Sequence, residues 1–86
     1  MNKTIFDIGT MVAIILKGIQ RIGKSPEELT EKNKLDASDI YHWKDIIQYG
    51  DIDEYINQED ASRWFWFLAS IYPFHMSETI DEVLNR

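Results

Sequence analysis

The amino-acid sequence predicts an all-α fold of five helices, and three features of the chain support this prediction. Apolar residues near the start recur at the spacing of one helical face. The segment Ser25-Pro26-Glu27-Glu28 has the pattern of a helix start, with a capping box and a proline in the first helical position. No segment alternates between apolar and polar residues as a half-buried strand does. With 86 residues the chain is long enough for one domain and too short for two, so we expect a single domain over residues 1–86.

The first predicted helix begins after Thr4, which can cap it, and ends at Gly23. Two of its apolar residues, Met11 and Ile14, lie off the main apolar face, which predicts a helix covered on more than one side. The residues of that main face are Ile5, Ile8, Val12, Ile15, Leu16, Ile19 and Ile22.

The next two helices are predicted to be short. Helix two opens at Ser25, runs to about residue 31 or 33, and points Leu29 inward. Helix three is capped by Asp36 and follows a turn that contains Leu35. Its apolar residues recur at helical spacing and are expected to face inward: Ile40, Trp43 and Ile47. Its outward face is expected to hold Ala37, Ser38, Tyr41, His42 and Asp45.

Two more helices complete the prediction. The fourth spans residues 61–72 and is stopped by Pro73. The fifth is capped by Ser77. It is expected to point Ile80, Val83 and Leu84 into the core.

Charge and composition exclude several classes of function. The net charge of −6 disfavours nucleic-acid binding at first sight, but residues 17–44 sum to +1 and residues 45–86 to −7. The chain has no cysteine, too few histidines for a zinc site, no nucleophile paired with a base and no glycine-rich phosphate loop. We therefore expect neither an enzyme nor a metal or other cofactor. No apolar run reaches the ~18 residues of a membrane span, so a cytoplasmic protein is expected.

Four consecutive aromatic residues, Trp64-Phe65-Trp66-Phe67, stand on the fourth helix. Consecutive residues of a helix point in different directions, so one small core does not easily accommodate all four rings. In one interpretation two or three rings fill the core under helices one and three. In the other, the remaining rings form an apolar patch that a second subunit or another protein covers. The sequence therefore predicts a homodimer or partner interface at residues 64–67.

An acidic stretch lies at residues 51–60. Asp51, Asp53 and Asn57 resemble the start of a calcium loop, but Ile56 stands where such a loop needs glycine and Ser62 where it needs glutamate. We interpret the stretch as a solvated acidic loop, which could also receive a basic protein partner.

From Gly23 to Trp43 the chain resembles the helix-turn-helix of the Xre/Cro-type family of phage repressors, with the motif core at about residues 25–47. The resemblance lies in four short segments: Ser25, Glu27-Glu28-Leu29, Lys34-Leu35 and the Ile40-Tyr41-His42-Trp43 of the recognition helix. It implies a DNA-binding regulator of transcription, of phage or bacterial type, that binds its operator as a dimer. Two positions depart from the family pattern. Pro26 replaces a frequent glutamine that contacts phosphate, and Lys34 replaces the turn glycine.

Two functions follow as hypotheses. In the first, helix three enters the major groove of double-stranded DNA and presents Ala37, Ser38, Tyr41 and His42 to the bases. Four lysines would then lie near phosphates: Lys24, Lys32, Lys34 and Lys44. In the second, the same fold is an acidic protein-interaction module, similar to an antirepressor or an inhibitor. The outward face of helix three lacks arginine, glutamine and asparagine, which favours this alternative.

Overall fold

A computed structural model of the chain describes residues 7–32, 34–49 and 56–85, and its regular structure within these residues is entirely helical. The predicted all-α class is confirmed. The helices are α1 (Ile8–Ile22), α2 (Pro26–Thr30), α3 (Ser38–Tyr49), α4 (Gln58–Ile71) and α5 (Pro73–Leu84).

Helix α1 supplies much of the core and packs against α5, α4 and α3. Val12, Ile14 and Ile15 are fully buried, and Ile19 is nearly so. Because Ile14 lies off the main apolar face, its burial confirms that α1 is covered on more than one side.

The two ends of α1 differ in how well the sequence predicts them. Gly23 ends the helix as expected, in the left-handed conformation at φ 84°, and its N–H donates to the Ile19 carbonyl at 3.0 Å. The predicted cap Thr4 lies outside the described residues. In the structure Asp7 caps α1 and its carboxylate accepts a hydrogen bond from the Thr10 N–H at 2.7 Å, so the helix begins at Ile8.

The capping box of α2 is confirmed. The Ser25 hydroxyl accepts from the Glu28 N–H at 3.2 Å, and the Ser25 N–H donates to the Glu28 carboxylate at 2.9 Å. The helix ends at Thr30, whose hydroxyl donates to the Pro26 carbonyl at 2.9 Å. Residues 31–37 then join α2 to α3. This connection is longer than the turn of about three or four residues that a helix-turn-helix uses.

Helix α3 has the predicted cap but a different third core residue. The Asp36 carboxylate accepts from the Ser38 N–H at 3.0 Å. Ile40 and Trp43 are buried as predicted. The prediction for Ile47 is wrong, because Ile47 is exposed and Ile46 is buried in its place. The buried side of α3 thus follows a spacing of three residues throughout.

The last two helices are joined differently from the prediction. Asn57 caps α4, which therefore begins at Gln58, before the predicted residue 61. Pro73 is the first residue of α5, where its missing N–H has no cost, and Ser77 lies inside that helix rather than capping it. Ile80 and Val83 are partly buried, but the inward placement of Leu84 is wrong, because this side chain is 52% exposed.

Candidate functional site

The outward face of α3 is the first candidate surface. Ser38, Tyr41, His42 and Asp45 are exposed, and Ala37 is half-buried. The side chains that the sequence assigned to base contacts are therefore at the surface, with Ala37 the least accessible of them.

Two hydroxyl groups of this face already donate to carboxylates. The Ser38 hydroxyl donates to Asp36 at 2.8 Å, and the Tyr41 hydroxyl donates to Glu27 of α2 at 2.9 Å. The hydrogen bond to Glu27 raises the pKa of Tyr41, because it stabilises the neutral phenol. His42 is exposed and donates to no carboxylate in the described residues, so its ring remains available to an external partner.

The cations of the described residues divide into two groups. Lys17 and Arg21 pair with Glu82, and Arg63 pairs with Asp60 at 3.2 Å. The other cations form no ion pair with any described residue, and they are the lysines that the sequence placed near phosphates: Lys24, Lys32, Lys34 and Lys44. All of these are exposed. An exposed lysine outside an ion pair remains available to an external anion.

These lysines do not all lie together. Lys24 and Lys44 line one groove of about 500 Å³ between α1 and α3, together with Lys17. Lys24 and Lys32 line a neighbouring groove of about 320 Å³, together with Glu28 and Glu31. Lys34 instead lines a groove along α4, beside Trp66. The structure therefore groups Lys24, Lys32 and Lys44 around α2 and α3 and places Lys34 in a different, adjoining groove.

Two of the lysine ammonium groups lie over aromatic rings. The Lys24 nitrogen lies 6.0 Å from the centre of the Tyr72 ring, and the Lys44 nitrogen lies 6.0 Å from that of Tyr41. Such contacts restrict a flexible side chain and leave its charge exposed.

The four consecutive aromatic side chains of α4 point in different directions and differ in their exposure to solvent. Trp64 is fully buried and Phe65 is nearly so, whereas Phe67 is partly buried and Trp66 is 66% exposed. Within this chain, the predicted interface at residues 64–67 is therefore reduced to Trp66 and the open side of Phe67.

The acidic stretch at residues 51–60 and a metal site are the remaining candidates from the sequence, and the described residues offer little support for either. Asp51, Asp53 and Glu54 of the acidic stretch lie outside the described residues. Of its other acids, Glu59 is exposed and Asp60 is paired with Arg63. No group of acidic and histidine side chains that could hold a metal ion is found in the ranges that the structure covers.

Sequence reasoning missed two residues of the candidate site. Lys17 shares the groove of Lys24 and Lys44, and Glu27 binds the Tyr41 hydroxyl. Lys17 lies on α1 and Lys24 lies beyond the glycine that ends this helix, so no helical spacing relates the two and the sequence gives no signal that they share a groove. The contact of Glu27 depends on the packing of α2 against α3 and has no sequence signal.

Comparison with known proteins found no family model, curated protein or solved structure that matches this chain. None of the helices described here is long and apolar enough to cross a membrane. The most distinctive surfaces of the described residues are the lysine-lined grooves around α2 and α3 and the aromatic groove along α4.

Proposed function

We propose that this chain is a small DNA-binding protein that contacts double-stranded DNA through the surface of α2 and α3. The observation that carries the proposal is that Lys24, Lys32 and Lys44 are exposed and form no ion pair with any described residue, although the protein is acidic. Three other cations of the described residues are paired with carboxylates: Lys17, Arg21 and Arg63. Lysines that bind phosphates release the counterions of DNA, and this release supplies most of the affinity of such proteins.

The proposed contacts go mainly to phosphates. Carboxylates of Asp36 and Glu27 accept from the Ser38 and Tyr41 hydroxyls, so these hydroxyls are less available to bases. Base selectivity then depends chiefly on His42, which can donate to or accept from base edges in the major groove. A role as a regulator of transcription, with α3 as the recognition helix, is part of this proposal and rests on the resemblance at residues 23–43.

Alanine substitutions of the three lysines test the proposal. Lys24→Ala, Lys32→Ala and Lys44→Ala should each weaken binding to a short DNA duplex by about tenfold at ~50 mM salt, because each removes one phosphate contact. The loss should be similar for every DNA sequence. Fluorescence anisotropy of a labelled duplex measures the affinity.

The matched control is Arg63→Ala. It removes the same single charge from α4, where the guanidinium is already paired with Asp60. We expect its affinity to stay close to that of the wild type. An equal loss in Arg63→Ala and in the three lysine variants would mean that net charge, and not this surface, determines binding, and would overturn the proposal.

A second candidate is a protein-interaction module without sequence-specific DNA binding. The carboxylates of Glu27 and Asp36 beside α3 favour it, because they would approach phosphates at an electrostatic cost and would suit a basic protein surface. Absence of DNA binding at ~50 mM salt, where phosphate contacts are strong, would support this function instead.

A further inference from the structure

A groove of about 930 Å³ runs along α4 beside the connection between α2 and α3. Its apolar side chains come from both walls: Leu35 from the connection, and Trp66, Phe67 and Ile71 from α4. Trp66 is 66% exposed and Ile71 is 56% exposed, so large apolar groups face solvent here. Contiguous apolar surface of this kind usually marks a contact with another protein.

The rim of the groove carries charges of both signs. Lys34 and Glu59 are exposed on it, and neither forms an ion pair with any residue that the structure describes. Arg63 also lines the groove, but Asp60 already neutralises it. The rim therefore presents one cation and one anion that lack an intramolecular partner among the described residues.

We propose that this groove is an isologous interface, in which a second copy of the chain places the same surface against it. In a two-fold contact, if one residue of the first copy contacts a given residue of the second copy, the same two positions also make contact with the copies exchanged. Lys34 of one copy then pairs with Glu59 of the other, twice, while the two Trp66 rings cover the apolar walls. A partner of a single charge sign would leave either the lysine or the glutamate opposed by a like charge, so a self-complementary partner fits best. This inference does not depend on DNA binding.

The contribution of Trp66 is tested by Trp66→Ala in analytical ultracentrifugation. The wild type should be a dimer at micromolar concentration, and the variant should raise the dimer Kd by about thirtyfold or more, as for a central interface aromatic. Since Trp66 is exposed, the variant should keep its fold, which circular dichroism verifies. The matched control is Phe74→Ala, because Phe74 is 83% exposed but does not line the groove. A monomeric wild type, or a dimer that Trp66→Ala leaves intact, would overturn the proposal.

A charge-reversal experiment tests the pairing itself. Lys34→Glu alone places glutamate opposite Glu59 in both copies, and Glu59→Lys alone places lysine opposite Lys34, so each variant should dimerise weakly. An equal mixture of the two variants restores both opposite-charge pairs and should form a heterodimer with roughly wild-type affinity. Failure of the mixture to associate more tightly than either variant alone would refute the two-fold pairing.

Discussion

Asp39 stands in the first turn of α3, where burial and neighbouring carboxylates disfavour its negative charge. Burial raises the pKa of its carboxyl, and the nearby carboxylates of Asp60 and Asp36 raise it further. The Trp64 indole partly opposes this rise in pKa. The indole nitrogen is buried and has no acceptor at hydrogen-bond geometry among the described residues.

This environment predicts a pH-dependent stability. Because the pKa of Asp39 is higher in the folded state, the folded state binds the proton more tightly than the unfolded state does. The stabilising contribution is present below the unfolded value of about 3.8 and is lost as pH rises through the folded value. Asp39→Asn removes the charge, so the variant should have a higher Tm than the wild type at pH 7. Its advantage should shrink as the pH falls toward 4.

Asp45→Asn is the matched control for this effect, since Asp45 is an exposed carboxylate on the same helix. Thermal melts of the three proteins between about pH 4 and about pH 8 provide the comparison. A carboxylate in the first turn is normally favoured by the helix dipole, but at Asp39 burial and repulsion outweigh that effect. A lower Tm for Asp39→Asn at pH 7 would show that the dipole prevails.

At the scale of the helices, sequence reasoning succeeded where the signal was local. Ser25, Asp36 and Gly23 form their caps with residues two to four positions away, so the sequence contains both partners. It failed where the outcome depends on distant packing. Ser77 resembles a cap, but Pro73 can start a helix directly after Tyr72, and α5 begins there.

The same limit applies to the faces of helices and to the candidate site. Ile46 and Ile47 are both isoleucines one residue apart, and the position of α3 against α1 decides which is buried. The sequence likewise identified the lysines but not their grouping, because Lys34 reaches the α4 groove through the path of the connection between α2 and α3.

The contact between α1 and α5 is close at Gly18. A methyl group at this position would lie 2.7 Å from the Met76 sulfur. Alanine favours a helix over glycine by about 1 kcal/mol, but overpacking a core costs about 1–3 kcal/mol. Because Met76 is itself buried, we expect the steric cost to prevail and Gly18→Ala to lower the free energy of unfolding by about 1 kcal/mol, measured by urea denaturation.

A double-mutant cycle identifies the cause of that loss. Met76→Ala alone should destabilise the protein by about 2–5 kcal/mol through the cavity it leaves. In Gly18→Ala/Met76→Ala the added methyl group no longer meets the sulfur, so the double variant should lose less than the sum of the single losses. Strictly additive losses would mean that the two positions do not press against each other.

At the scale of the whole molecule, the proposed phosphate contacts and the proposed dimer contact use different charged residues. Lys24, Lys32 and Lys44 lie around α2 and α3. The proposed dimer groove along α4 adjoins the groove of Lys24 and Lys32 and shares Phe67 and Ile71 with it, but none of the three lysines lines the dimer groove. The lysines proposed to bind phosphates are therefore not the residues of the proposed dimer contact.

The salt dependence of DNA binding tests the central claim most directly. If three lysines of each chain bind phosphates, the logarithm of the association constant per chain should fall linearly with the logarithm of the salt concentration, with a slope of about −2.7. Lys44→Ala should make that slope shallower by about one. A slope near zero, or no binding to any duplex at ~50 mM salt, would contradict the assignment of these lysines to phosphate contacts.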